Sequence, residues 1–406
     1  MPLSDLHQSL LSQVEAIAQQ LLQKKNEVKR AGLHTGKAGI ALLYAYLSKA
    51  FPEKKYLQVT LDYLNELNGA LVNDELNYNI YNGFTGIAFL FQHLRNMGLL
   101  DVADDLCLSD LDDYISQGAE NDFQTGMWDP LFGMVGLGIY FLERNTETGE
   151  TKYLEKIADY LAAMAVTIGE HRVWITPDFT NESAENYNFG MAHGMPGILS
   201  FLAQVHGRGI RQPEIEGLLS SSIDFLLKNE NPAEAYCCFP KYIYLKPGTV
   251  DEPYSRLAWC YGDLCVANAL IHCGVSLQNE GWKAKGIEVA LKTTLRTFDN
   301  SGCEDAFFCH GSVGMVHQYS RLFQFTKNTA FRIAAENWIN ITQQYFYKPG
   351  KGIGGYFYKQ FDEEKKNYGF IDSHSLLLGS AGIALVYLSY IFDVTPAWDI
   401  IFLTNV

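Results

Sequence analysis

The chain has 406 residues, of which 48% are apolar, so it is long enough to bury a large core in one to three domains. Its formal net charge of −15 argues against nucleic acid as a partner, because the phosphates would be repelled. Eight cysteines without a secretory signal predict reduced thiols and a cytoplasmic protein.

The first predicted element is an amphipathic helix within residues 1–25. Its apolar side chains recur at helical spacing, at Leu6, Leu10, Val14, Ile17 and Leu21. The segment lacks the charged-then-apolar order of a signal peptide. It therefore predicts a helix with one face against the core.

A glycine motif then recurs along the chain. Six copies of G-x-x-G each run into an apolar segment, and a seventh has Cys265 where the second glycine would stand. The first glycines of the seven copies are Gly36, Gly83, Gly133, Gly194, Gly262, Gly311 and Gly379. Spacings of 47 to 68 residues indicate a repeat architecture. The glycines predict close packing where seven helices begin.

Segments with one apolar stripe and one charged face alternate with these glycine-led helices. Examples are residues 53–67, 152–166, 213–227, 282–298 and 329–345. The glycine-led helices are apolar nearly all round, so they should be fully buried. Seven such pairs predict an all-α fold, an α/α toroid of seven inner and seven outer helices. An open solenoid of helical hairpins is the alternative, but apolar inner helices need cover on every side, which favours the closed ring.

Three insertions rich in β-branched and aromatic residues predict small β elements, at approximately 172–187, 229–255 and 347–370. Each follows an outer helix and precedes a glycine motif, so we expect all three at the rim where the motifs lie. Without a linker rich in Pro, Gly or Ser, residues 1–406 are predicted to form one domain. Residues 375–392 carry no charge and approach the length of a membrane span, but the repeat predicts a core helix there.

Aligning the repeats on their first glycine groups the candidate metal ligands. Cys260 and Cys309 stand two residues before that glycine in consecutive repeats, and His193 and His310 stand one residue before it. In a closed ring these residues would meet at one mouth. Two thiolates and an imidazole suit zinc, and three protein ligands leave a fourth position for water or substrate. On spacing alone, two buried cysteines and a hydrogen-bonded core histidine remain an open alternative.

Other polar residues point to the same rim. Asp129 stands four residues before its glycine and Arg256 six residues before its own. The alternatives are a helix N-cap for Asp129 and a structural ion pair for Arg256. His34 and His374 also lie near the predicted mouth, and we expect them to be hydrogen-bonded polar residues rather than ligands.

These motifs together resemble the LanC family, the lanthionine synthetase cyclases of lantibiotic biosynthesis, over essentially the whole chain. The resemblance is carried by the glycine repeats and by Ala192-His193-Gly194, Trp259-Cys260-Tyr261-Gly262 and Cys309-His310-Gly311. It implies a double ring of helices with β extensions at one end. It also implies a Zn²⁺ held by Cys260, Cys309 and His310, with roles near the metal for His193, Asp129, Arg256 and Tyr261.

Proteins similar to this one add a peptide cysteine thiol across the double bond of a dehydroalanine or dehydrobutyrine in the same peptide. The resemblance thus implies a dehydrated precursor peptide with a leader as substrate. It implies a separate dehydratase and an ABC exporter in a membrane-associated complex, since no dehydratase domain is attached. The chain itself would be a monomer, located in the cytoplasm or peripherally at the inner face of the membrane.

The chemistry suggests a role for each polar residue. Addition leaves an enolate that needs a proton, and His193 would deliver it, or would first accept the thiol proton. Asp129 would orient His193, Arg256 would stabilise the enolate oxygen, and Tyr261 is the second candidate donor.

Two other functions compete with the cyclase. One is a LanC-like protein that binds glutathione or adds it to dehydrated proteins. The other is an α/α-barrel glycosidase, which needs two carboxylates across a cleft, such as Asp129 and Asp263. The glycosidase would leave the Cys309-His310 pair and its matching Cys260 unexplained.

Overall fold

The computed structural model describes residues 3–73, 76–101, 108–177, 185–245, 253–362, 366–392 and 396–406. Across these residues the protein is mostly helical, with small antiparallel sheets. Cys107 and parts of each predicted β insertion (178–184, 246–252 and 363–365) lie outside the described residues. The seven described cysteines form no disulfide with one another, and all but Cys309 are buried.

A helix begins directly after the first glycine of every repeat, as predicted. These helices are α2 (Lys37–Ala50), α4 (Phe84–Asn96), α6 (Met134–Thr148), α8 (Met195–Gly207), α10 (Asp263–Ser276), α13 (Ser312–Thr326) and α15 (Ser380–Phe392). They are buried on nearly all sides; in α15, for example, Ile383, Leu385 and Tyr387 have no exposed surface. None of the described helices is both long and apolar enough to cross a bilayer. The uncharged run at 375–392 therefore forms a loop and a core helix.

Seven further helices alternate with them along the chain. They are α1 (Asp5–Gln23), α3 (Tyr56–Asn73), α5 (Leu108–Thr125), α7 (Lys152–Met164), α9 (Gln212–Lys228), α11 (Glu280–Thr293) and α14 (Thr329–Ile341), and α12 (Phe298–Ser301) is a single turn. In α1 the predicted stripe is buried from Leu10 to Leu21, and Leu6 is half-buried. The Ser4 side chain accepts a hydrogen bond from the His7 N–H and so caps the start of α1.

Backbone contacts define two compact sets of elements. In one set, α2 contacts α15, α4 and the polar-faced α3, and α15 also contacts α1. In the other, α8 contacts α6, α10 and the polar-faced α9, while α7 packs on α6 and α11 on α10. Within each set, apolar helices thus lie beside one another with polar-faced helices packed against them. The extent of 1–406 as a single domain stays a prediction.

The first glycine of each motif has a common packing reason. A Cβ atom on any of the seven would lie 2.1 to 2.8 Å from the carbonyl oxygen of the residue six positions earlier. That carbonyl also accepts a hydrogen bond from the helix start in several repeats, as when Lys37 N–H donates to Arg30 O at 2.9 Å. In those repeats the loop before the helix therefore folds back and satisfies an N–H group that the helix itself leaves unpaired.

The second glycine repeats this contact one turn later. A Cβ on Gly39 would lie 2.2 Å from Leu33 O, and one on Gly314 would lie 2.0 Å from Phe308 O, again six residues earlier. In the fifth repeat Cys265 takes this place, and its Sγ donates to Trp259 O at 2.9 Å. The thiol is fully buried, and burial raises its pKa well above the usual value. Cys265 is therefore a packing residue, as we expected.

Replacing Gly197 with alanine should destabilise the protein by roughly 1–3 kcal/mol, the usual cost of overpacking. Its Cβ would lie 2.4 Å from Met191 O and 2.6 Å from Pro130 Cγ. The control is Gly217→Ala in the middle of α9, where a Cβ meets nothing within 4 Å and should be neutral or stabilising. Urea unfolding of both variants measures the difference. Equal stability of the two variants would contradict this account of the motif.

Strands occur in all three predicted insertions. Strands β1 (Val166–Ile168) and β2 (His171–Val173) form a hairpin; β3 (Thr176–Pro177), β4 (Glu185–Asn188) and β5 (Tyr242–Tyr244) form a second sheet; β6 (Tyr358–Asp362) and β7 (Asn367–Ile371) form a third. The first hairpin starts at Val166, earlier than predicted, because Gly169 at φ +59° lets the chain turn just after α7. The second sheet lies beside a motif loop, since Thr176 Oγ1 donates to His193 O at 3.3 Å.

Candidate metal centre

The loop before α13 carries Cys309 and His310. Phe307 and Phe308 are fully buried and anchor this loop in the core, and Cys309 N–H donates to Leu377 O at 3.1 Å. Cys309 is half-buried, and the His310 side chain is 24% exposed. Adjacent side chains point in different directions in a regular helix. Because Cys309 and His310 lie in the turn before the helix, their side chains can point toward a common place.

Cys260 lies in the equivalent loop before α10. It is buried, and its carbonyl accepts a hydrogen bond from Ala192 N–H at 3.3 Å. The neighbouring Trp259 is buried and donates its indole Nε1–H to Phe402 O at 2.8 Å. Hydrogen bonds on both sides thus fix the backbone that carries the thiol.

The structure brings the three predicted metal ligands together. The Sγ atoms of Cys260 and Cys309 and a ring nitrogen of His310 all lie within 4.8 Å of one another. Zinc–sulfur bonds of about 2.3 Å and zinc–nitrogen bonds of about 2.0 Å in a tetrahedron need donor atoms at most about 4 Å apart, so small side-chain movements suffice. Among the described residues the group has three members, which fits a zinc site with one position left over.

A second group of possible ligands, which the sequence did not suggest, is formed by Glu170, His171 and Asp224. Lys228 Nζ lies 2.5 Å from a Glu170 oxygen and 3.2 Å from an Asp224 oxygen. Lys228 already pairs with both exposed carboxylates, so we interpret the group as an ion-pair cluster rather than a metal site.

Asp129 and His193 form a pair. Asp129 Oδ2 lies 2.5 Å from His193 Nδ1, and Asp129 Oδ1 accepts hydrogen bonds from the N–H groups of Leu131 and Phe132 at 2.7 and 2.9 Å. The alternative of a helix N-cap is wrong, since Gly133 occupies the N-cap of α6. Asp129 instead holds the loop with one oxygen and His193 with the other.

Opposing effects set the pKa of His193. Burial lowers it, but the charge of Asp129, the hydrogen bond to Asp129 and the charge of Cys260 raise it, and the net pKa lies above the ordinary 6.5. The Phe132 ring stacks on the imidazole, with centroids 5.8 Å apart. Asp129 thus favours the charged form of His193, and the proton-transfer role of this imidazole stays a prediction.

Tyr261 and Arg256 flank the same loop. The Tyr261 ring lies 6.4 Å from the His193 ring and 5.6 Å from that of Tyr242, and burial first, then Tyr242, raises the pKa of its phenol. Tyr261 is therefore neutral, and its hydroxyl keeps its proton. The carbonyl of half-buried Arg256 packs against Gly262, and the role of its guanidinium stays a prediction.

The other two histidines near the predicted mouth differ from His193. Burial lowers the pKa of His34 to about 4, and its ring stacks on Tyr81 at 5.4 Å. Burial also lowers the pKa of His374. Both are therefore neutral at pH 7, and the hydrogen bonding expected of their side chains stays a prediction. The sequence did not suggest Tyr81, whose pKa is raised by burial and by the charge of Cys309 nearby.

The chain is similar to known proteins over most of its length. The family model described as "Lanthionine synthetase C-like protein" matches residues 27–403. "Nisin biosynthesis protein NisC" of Lactococcus lactis subsp. lactis is 24% identical over 323 residues, 73% of this chain and 74% of that protein. "Glutathione S-transferase LANCL1" of Danio rerio is 22% identical over 339 residues, 79% of this chain and 76% of that protein.

Among solved structures, "Nisin cyclase" matches with a TM-score of 0.73 and 19% identity, over 96% of each chain. At this identity the likeness shows the fold alone. It confirms the predicted α/α toroid with small β elements and rules out the open solenoid.

Proposed function

Because this chain belongs to the lanthionine synthetase C-like family, we propose that it is a zinc-dependent cyclase. It joins the thiol of a peptide cysteine to a dehydroalanine or dehydrobutyrine of the same peptide and so forms a thioether ring. The single observation that carries the proposal is the grouping of two thiols and an imidazole within 4.8 Å. The similarity to a nisin biosynthesis protein adds the substrate class, a dehydrated precursor peptide.

Zinc suits the two-sulfur, one-nitrogen donor set of Cys260, Cys309 and His310, and when bound it would lower the pKa of a substrate thiol from about 8.5. The other residues act on the proton and the charge. As the sulfur bonds to the β-carbon of the dehydroamino acid, electrons move to the carbonyl oxygen and give an enolate. Arg256 stabilises that oxygen, and His193 donates a proton to the α-carbon.

Asp129 makes this proton transfer possible. It accepts the Nδ1–H of His193 at 2.5 Å, which leaves Nε2 as the nitrogen that exchanges a proton with substrate. His193 then regains its proton from the next thiol that ionises, so atoms and charges balance over the cycle. Tyr261 is the second candidate donor, with a phenol that stays protonated.

The partners follow from the same proposal. The precursor peptide carries a leader, and a separate dehydratase prepares it. An ABC exporter completes a membrane-associated complex that this monomeric, cytoplasmic protein joins at the inner face of the membrane.

A second candidate is addition of glutathione to a dehydrated protein, favoured by the match to a glutathione S-transferase. One assay tests both functions, with a synthetic peptide that holds one dehydroalanine and one cysteine, in the presence of glutathione. A cyclase converts the peptide to a product of unchanged mass that no longer reacts with a thiol-alkylating reagent. This conversion should be faster than in the protein-free control. A glutathione adduct in place of the ring would overturn the cyclase proposal.

A further inference from the structure

Asp305 lies beside the predicted ligand His310. Its Oδ2 is 2.9 Å from His310 Nε2, and its side chain is only 13% exposed. Its Oδ1 accepts a hydrogen bond from Phe307 N–H at 2.8 Å, and its carbonyl accepts one from Ser312 N–H at 2.9 Å. The carboxylate is thus held in place by the same loop that carries His310, and one oxygen remains for the imidazole.

The repeats show that the loop does not need the charge of Asp305. Asp305 stands six residues before the first glycine, where the second and fourth repeats have Asn77 and Asn188. The amide oxygens of those residues accept the N–H of Asn79 at 3.1 Å and of Gly190 at 2.8 Å, two residues on. A neutral oxygen therefore serves the turn equally well, so the negative charge in the sixth repeat has another use.

We propose that Asp305 is a positioning residue for His310, an inference that rests on the metal site of the proposed function. By accepting the Nε2–H of His310, it fixes the tautomer in which Nδ1 carries a lone pair. Nδ1 is then the nitrogen offered to the metal. The carboxylate also makes the imidazole a more basic donor and adds negative charge next to a cation site.

Asp305→Asn tests this role without removing the turn, since asparagine serves the turn in the sibling repeats. Its amide would offer His310 an N–H, which favours the tautomer protonated at Nδ1 and opposes metal binding. We expect zinc affinity to fall about 10- to 100-fold, measured by competition with a chromogenic chelator. The unfolding midpoint of the zinc-free variant should match that of the zinc-free wild type.

Asn77→Asp is the matched control, because it places a carboxylate in the same register beside no predicted ligand, and it should leave zinc affinity unchanged. Wild-type affinity in Asp305→Asn would overturn the inference and leave the proposed function intact. So would a lowered midpoint of zinc-free Asp305→Asn, since the role would then be structural. A wild-type protein that binds no zinc would instead overturn the proposed function, and this inference with it.

Discussion

Replacing Cys309 with alanine should abolish stoichiometric zinc binding and cyclisation together. The predicted site has three protein donors, and the variant would keep only Cys260 and His310. Structural and catalytic zinc sites in proteins use at least three side-chain ligands, so two would not hold the ion against dilution or a chelator. Elemental analysis after gel filtration should give about one zinc per wild-type chain and close to none for Cys309→Ala.

Cys265→Ala is the control for loss of a thiol. Cys265 is as deeply buried as any residue of the core, but its Sγ donates to Trp259 O and does not belong to the ligand group. This variant should keep its zinc. A Cys309→Ala protein that still binds one zinc tightly would contradict the ligand set, whatever its activity.

Replacing His193 with asparagine should slow cyclisation about 10²- to 10⁴-fold while zinc content stays unchanged. Asparagine can still donate a hydrogen bond to Asp129, which lies 2.5 Å from the imidazole in the wild type, but it cannot deliver a proton. The rate of ring formation should therefore fall, while the zinc content stays at the wild-type level. Single-turnover kinetics followed by mass spectrometry, with zinc measured on the same sample, separate the two effects.

His206→Asn gives a comparison in α8, the helix that follows His193. His206 is a buried histidine near the end of α8, and its Nδ1 is 2.8 Å from Ser276 Oγ. Its replacement removes an imidazole that is not paired with Asp129, so the rate of cyclisation should stay at the wild-type value. If His193→Asn cyclised the peptide at the wild-type rate with zinc bound, the proton transfer would have to be reassigned, with Tyr261 the next residue to test.

Most of the fold prediction came from aligning the repeats on their first glycine. Because each first glycine precedes a helix, counting from Gly36 to Gly379 located all seven buried helices. The same count put Cys260 and Cys309 in equivalent positions, although 49 residues separate them. Periodicity works here because equivalent residues of a repeat occupy equivalent places, whatever their separation along the chain.

Aligning the repeats could not predict the contacts that depend on loop conformation. Asp305 reaches His310 because a turn brings a residue five positions earlier back to the ring, and no helical or strand period predicts that distance. The amides of Asn77 and Asn188 in the same register were the available signal. Strand β1 was missed because a three-residue strand depends on its partner and on the turn at Gly169 rather than on its own sequence.

The backward fold of each loop onto its own helix has a consequence for engineering. In the repeats where the carbonyl six residues before the glycine accepts a hydrogen bond from the helix start, the two residues just before the glycine do not have to make that contact. In these repeats the residues that hold the loop in place are thus different from the two residues whose side chains could form a site. Tyr81 and Asn82 are these two residues in the second repeat, where new metal-ligand atoms could be introduced without redesigning the loop.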